Sequence, residues 1–195
     1  MGKKMLFIFN PRAGKGSIKT RLTDILDIFV KAGYDVHIHP TQAYRDGLKV
    51  AKKRAGEFDL VVTSGGDGTL DEIVTGIMEG GHSTPVGYIP AGSTNDFAKS
   101  LHVSKNMMQA AVDIVEGEPH AFDVGKFNDD FFVYIAAFGL FTDVSYETNQ
   151  DLKNILGHAA YILEGTQRLF NIQSYKLQVE TAEQNMEGDF IFGMI

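Results

Sequence analysis

Between Leu60 and Ile77 the chain reads LVVTSGGDGTLDEIVTGI: an apolar run, three glycines around one aspartate, then a helical pattern. Gly65, Gly66 and Gly68 lack the Cβ atoms that would hold an anion away from backbone N–H groups. A helix beginning near Thr69 turns its positive end to the same point. That combination suits a phosphate. Asp67 has the wrong sign to touch one, and its place among the glycines makes sense with a Mg²⁺ ion or an ordered water between the two negative groups. The alternative for so short a motif is a tight turn with a helix-capping aspartate.

Two more loops carry the same chemistry. NPRAGKG, Asn10 to Gly16, sets Gly14 and Gly16 beside the positive charges of Arg12 and Lys15. PAGSTNDFA supplies Gly92, Ser93, Thr94, Asn95 and Asp96. The first of these is not a P-loop, because the spacing G-x-x-x-x-G-K-[ST] is absent, nor is it the G-x-G-x-x-G dinucleotide fingerprint. Each of the three loops follows an apolar run with strand character.

The elements that must position them alternate. MLFIF reads as a buried strand, and Ile18, Leu22, Ile25, Leu26, Phe29 and Val30 recur at helical spacing, with Ser17 as N-cap and Gly33 as stop signal. YDVHIH alternates as a strand, followed by a helix through Leu48, Val50, Ala51 and Ala55. DLVVT and PVGYIP are two further strands, with a helix bearing Leu70, Ile73, Val74 and Ile77 between them. Strands alternating with helices predict an α/β domain, a parallel sheet with flanking helices, over residues 1–119. Ligands of such sheets bind at the carboxyl ends of the strands, where the three loops fall.

From residue 120 the texture changes. HAFDVGKFNDDFFVYIAAFGLF predicts two strands joined at Asn128-Asp129, a helix is expected over about Leu152 to Leu169, and SYKLQVET and DFIFGMI predict strands. Residues 120–195 are therefore expected to begin a β-rich second domain. The sequence stops at Ile195 inside an apolar strand pattern, which reads as a truncated chain. The formal net charge of −7 argues against nucleic acid as a partner, and without cysteines there is neither a disulfide nor a thiolate metal site. His37 and His39 alternate on one strand without a third metal ligand nearby, and read as ordinary strand residues.

In this combination the chain resembles the catalytic domain of diacylglycerol kinases and the related bacterial lipid kinases, whose relatives include sphingosine and ceramide kinases. The resemblance runs through NPRAGKG, GGDGTLDEIVTGI, GYIPAGSTNDFAKSL, FDVGKF and AAFGLFTDVSYET. GGDG alone is shared with NAD kinases and phosphofructokinases, whereas its pairing with P-x-G-[ST]-x-N-D-F-A is far more specific. The Asn-Glu dipeptide expected downstream in NAD kinases is absent.

The resemblance implies an ATP- and Mg²⁺-dependent lipid kinase that moves the γ-phosphate to a hydroxyl of diacylglycerol or a similar lipid. It assigns ATP contacts to Asn10, Pro11, Arg12, Ala13 and Gly14, to Thr41, to Gly65 through Glu72 (Gly65, Gly66, Asp67, Gly68, Thr69, Leu70, Asp71, Glu72), and to Ser93, Thr94 and Asn95. Asp67 is the candidate metal residue, acting indirectly. Ser93 stands where Thr is usual and keeps the hydroxyl; Asp71 stands where Asn is common and makes the loop more acidic. The family's acid/base carboxylate comes later than Ile195, so no general base is assigned here, and Glu187–Asp189 is set aside because it opens a strand. The 195-residue chain alone is expected to hold the donor half of the site and to lack the acceptor chemistry. The expected partner is a lipid substrate at a membrane surface, in a cytoplasmic, peripherally associating protein compatible with a homodimer. Two other readings stay open: a kinase of a soluble acceptor such as NAD, and a nucleotide-binding regulatory module without turnover. The aromatic run around Phe138 and Phe141 is expected in the core of the second domain, with an acyl-chain cleft as the alternative.

Overall fold

The structure, a computed structural model, describes residues 2–139 and 173–195. The chain divides into two compact units, Met1–Tyr134 and Ile135–Ile195. The first is built on a four-stranded, all-parallel sheet in the order β2-β1-β3-β4, formed by β1 (Lys3–Phe9), β2 (Tyr34–Pro40), β3 (Leu60–Gly65) and β4 (Val86–Pro90). β1 lies between β2 and β3, and Met5 through Ile8 are fully buried. An uninterrupted apolar run is what such a strand needs, since successive side chains enter opposite, equally covered faces.

Alternate residues of β1 build two cores. Met5, Phe7 and Phe9 pack with Ile18, Ile25 and Phe29 of α1 (Ile18–Lys31) and with Ala110 and Ala111 of α5 (Met107–Glu116). The Phe7 and Phe29 rings meet edge to face at 5.6 Å. Leu6 and Ile8 pack with Ala51 of α2 (Asp46–Arg54) and with Ile73 and Ile77 of α3 (Asp67–Glu79). The parallel sheet with helices on both faces therefore agrees with the α/β expectation. Full burial of each large side chain is worth about 1.5–3 kcal/mol, which makes the doubly covered β1 the anchor of the unit.

The chain runs outward from β1 to β2 and returns to place β3 on the other side of β1. That reversal sets the topological switch point at the carboxyl ends of β1 and β3, the usual ligand position of open α/β sheets.

Three local features depart from the sequence reading. Ser17 holds the N-cap position of α1, but its side chain makes no capping bond. Its backbone is already helical (φ −59°, ψ −27°), and the helix enters through i→i+3 bonds from Lys19 to Gly16 and from Thr20 to Ser17. Helix α5 has no counterpart among the elements read from sequence, although Met107, Ala110, Ala111 and Ile114 have helical spacing. Its N-cap Asn106 accepts from the Met108 and Gln109 amides at 2.9 and 3.4 Å. Finally, DFIFGMI is split between two strands. Asp189 and Phe190 end β9 (Asn185–Phe190), which pairs antiparallel with β8 (Tyr175–Glu180), while β10 (Phe192–Met194) pairs with β7 (Ala137–Gly139). The polar stretch NMEGD has poor strand propensity, and its ladder with β8 overrides it.

The turn at Asn128-Asp129 forms as expected, between β5 (Gly125–Phe127) and β6 (Asp130–Phe132), with Asn128 at φ 55° in the left-handed region that asparagine tolerates. This hairpin belongs to the first compact unit. The elements described in the second unit are β strands, in keeping with a β-rich part. The helix expected over Leu152 to Leu169, and Phe141, lie outside the described residues.

Candidate active site

The three small-residue loops touch one another through backbone. A Cβ on Gly92 would stand 2.5 Å from the Gly66 Cα, and one on Gly14, already at φ 53°, would stand 2.6 Å from the Ala91 carbonyl oxygen. Hydrogen bonds fix the same approach. The Asn10 amide donates to Ser64 O at 2.9 Å, while the Ala91 and Gly92 amides donate to Gly65 O at 2.8 and 3.1 Å. Asn10 Oδ1 accepts from the Arg12 amide at 2.9 Å, closing the first loop on itself. Thr41 joins from β2, its amide donating to Phe9 O at 2.9 Å. Asn10 to Gly14, Thr41, Gly65 to Thr69 and Ser93 to Asn95 thus share the carboxyl edge of the sheet.

Gly66 is the N-cap of α3 and brings no side-chain acceptor to the helix N-terminus. A Cβ on Gly68 would meet nothing within 4 Å. The first turn of α3 therefore offers open room beside backbone N–H groups at the positive end of a 13-residue helix, as an anion requires.

Asp67 caps a helix, but not its own. Its Oδ2 accepts from the Asp96 amide at 2.9 Å and its Oδ1 from the Phe97 amide at 3.3 Å, at the start of α4 (Asp96–Ser100). It joins the loops after β3 and β4. Each oxygen keeps a second lone pair for water or a hydrated cation. Asn95, at φ 52°, accepts from the Gly92 amide through Oδ1 at 2.8 Å and donates from Nδ2 to Gly92 O at 2.9 Å, folding the third loop shut. The buried Tyr88 hydroxyl, absent from the sequence reading, donates to Gly65 O at 3.2 Å and lies 3.3 Å from Asn95 Oδ1. Burial, then the charges of Asp67 and Asp71, push its phenol well above the ordinary range, so it serves as a neutral donor. Among the described residues no group of three or more His, Asp or Glu side chains forms a ready metal cage.

Other candidates face elsewhere. Leu70 is buried in a cluster with Tyr88 and Ala98. Glu72 Oε1 accepts from the Arg45 amide at 3.0 Å, and burial raises its pKa. Asp71 Oδ1 accepts from the Val133 amide at 3.2 Å. Burial, with a smaller contribution from Asp67 and against the Val133 bond, lifts Asp71 from 3.8 to about 6.

This shift has a consequence for stability. Between these two values the folded chain holds a proton that the unfolded chain has released, so stability falls as pH rises through the window and levels off above it. Asp71→Asn keeps an acceptor for Val133 and removes the charge. The variant is expected to exceed the parent by about 1–2 kcal/mol at pH 7–8, after discounting a half-buried site, and to lose that margin towards pH 4. Thermal unfolding of both proteins across this range checks it; a margin independent of pH would mean that Asp71 titrates like a free carboxyl.

A second set of contacts, unmarked by motif, fastens the β5–β6 hairpin to α3 and to the start of α2. Thr75 Oγ1 donates to Phe131 O at 3.1 Å and accepts from the Phe131 amide at 3.3 Å, while the Arg45 guanidinium pairs with Asp130 at 2.8 Å. Helical spacing places Thr75 one turn after Asp71, the only sequence signal for it.

The sequence profile described as "Diacylglycerol kinase catalytic domain" matches residues 4–127. The chain is 37% identical over 190 residues to "Diacylglycerol kinase" of Staphylococcus aureus (strain MRSA252), covering 97% of this chain and 60% of that protein. The crystal structure of a diacylglycerol kinase from Bacillus anthracis str. Sterne superposes with a TM-score of 0.76 at 28% identity, over 99% of this chain and 63% of its own. A second structure from the same organism gives a TM-score of 0.80 at 30% identity, over 99% and 64%. The chain thus spans about three fifths of the relatives it matches.

Proposed function

Because the chain belongs to the diacylglycerol kinase catalytic domain family, we propose that it carries the nucleotide half of a lipid kinase, which transfers the γ-phosphate of ATP to a hydroxyl of diacylglycerol or a similar lipid. The observation that carries this reading is the backbone contact of the three small-residue loops, Gly66 against Gly92 and Gly14 against Ala91, around the N-terminus of α3. Phosphoryl transfer is mainly positioning and charge stabilisation. In this reading the α3 N-terminus and the room beside Gly68 hold phosphate oxygens, Arg12 and Lys15 add positive charge, and Asn10 and Thr41 line the nucleotide. Mg²⁺ would neutralise phosphate charge, and Asp67, with a lone pair left on each oxygen, is the side chain that would hold it through water.

The expected partners are a lipid substrate at a membrane surface and, in a homodimer, a second copy of the chain. No helix among the described residues is long and apolar enough to cross a membrane, and we infer a cytoplasmic protein that meets the bilayer peripherally to reach its substrate.

The test is transfer of label from ATP with Mg²⁺ into mixed micelles of diacylglycerol, with NAD as a parallel soluble acceptor, for the gene's complete product and for this chain. Label in the lipid is the expected result for the complete product. Label in NAD alone would replace the acceptor assignment, and ATP binding without any transfer would leave a regulatory module.

A further inference from the structure

We propose that Thr75 is a positioning residue for this transfer, an inference that rests on the phosphotransfer reading above. Its side chain is only 3% exposed. One hydroxyl satisfies both the N–H and the C=O of Phe131, at 3.3 and 3.1 Å, as a residue on a neighbouring antiparallel strand would. Asp71, one turn earlier, takes the Val133 amide at 3.2 Å. Helix α3 therefore acts as the strand partner on the open edge of β6.

The spacing makes this contact a ruler. Residues four apart on a helix are separated by about 6 Å along its axis, and residues two apart on a strand by about 6.7 Å. Asp71 and Thr75 match Val133 and Phe131 in one register. A slip of one residue turns every hairpin side chain to the opposite face, and a slip of two misplaces one of the paired backbone groups.

The register reaches Asp67 by a short route. Val133 packs against the cluster of Leu70, Tyr88 and Ala98. The Tyr134 ring lies 6.4 Å from that of Phe97, whose amide donates to Asp67. Thr75 thus holds the hairpin, the hairpin steadies α4, and α4 fixes the Asp67 carboxylate. The glycine contacts between the loops do not pass through this route, so loss of the Thr75 hydroxyl is expected to cost the rate of transfer more than ATP affinity.

The experiment compares Thr75→Val, which keeps the shape and loses the hydroxyl, with Thr75→Ser, which keeps the hydroxyl, in the gene's complete product. The valine variant is expected to lose about 10- to 100-fold in kcat, the scale of a small misplacement of reacting groups, with KM for ATP unchanged within about twofold. The serine variant is expected within about threefold of the parent. Parent-like kcat in the valine variant, a raised KM at unchanged kcat, or a serine variant as poor as valine would each overturn the proposal.

Amide exchange at Phe131, followed by mass spectrometry with and without ATP and Mg²⁺, gives a second readout. It decides the matter if the valine variant does not fold at the assay temperature, or if the parent binds ATP and transfers to no acceptor. Nucleotide-dependent protection in the parent and serine proteins supports positioning even where the transfer reading has failed; exchange indifferent to nucleotide overturns it. A parent that binds no ATP would remove both.

Discussion

Asp67→Ala is expected to lower phosphate transfer by about 100-fold or more, the scale seen when a preorganised electrostatic group is removed from a reaction centre. The carboxylate has two duties. It accepts the Asp96 and Phe97 amides at 2.9 and 3.3 Å and so ties the loop after β4 to the start of α3. It also supplies the negative charge that a hydrated Mg²⁺ would meet beside the phosphates. The structural duty alone is worth about 0.5–2 kcal/mol, the cost of losing an N-cap, and α4 has no alternative cap from Asn95. Asp67→Asn separates the two. Its Oδ1 can still take an amide, so thermal stability should return most of the way while transfer stays low. Recovery of transfer in the asparagine variant would mean that Asp67 acts as a cap and that the charge is immaterial. Parent-like transfer in the alanine variant would sink the charge duty, and parent-like thermal stability the capping one.

What the sequence made legible, and what it hid, divides along the range of the contacts. MLFIF announced a doubly buried strand, and the glycines of the three loops announced close backbone approach, because each property is carried by local residue types. The Asn128-Asp129 turn was legible for the same reason. Asp67 was readable as an anion-site residue or a capping residue, yet its partners are backbone amides 29 and 30 positions away. Backbone N–H groups carry no residue identity, so no spacing could have named them. Thr75 and Phe131 are 56 positions apart and equally silent. Tyr88 lay within a recognised strand motif, but its importance comes from burial beneath Gly65, which depends on the sheet order. Helix α5 is a different case. Its apolar spacing was present, and Gly87 clears the space that Ile114 fills, where a Cβ would come within 2.8 Å.

The glycines also separate packing from ligand binding, and they do so with opposite signs. Gly92→Ala would drive a Cβ to 2.5 Å from the Gly66 Cα, 2.7 Å from Asn95 Oδ1 and 3.2 Å from the Gly66 amide nitrogen. Two of these neighbours are backbone, pinned by the first bonds of α3 and by the Gly65 carbonyl, so the methyl cannot be absorbed by a rotamer change. Overpacking of this kind costs about 1–3 kcal/mol, roughly 2–12 °C in Tm for a chain of this size. Forcing the loops apart should also weaken ATP binding by about tenfold or more. Gly68→Ala is the counter-experiment. Its Cβ meets nothing within 4 Å, and the residue lies inside α3, so alanine should stabilise the protein by about 0.5–1 kcal/mol through helix propensity. The same methyl would occupy the room assigned to phosphate oxygens, and ATP affinity should fall while Tm rises. Calorimetric titration with ATP and Mg²⁺ beside thermal unfolding reads both effects. A stabilised Gly68→Ala protein that binds ATP as the parent does would move the phosphate site away from the α3 N-terminus, because the open space there would then have no ligand to explain it.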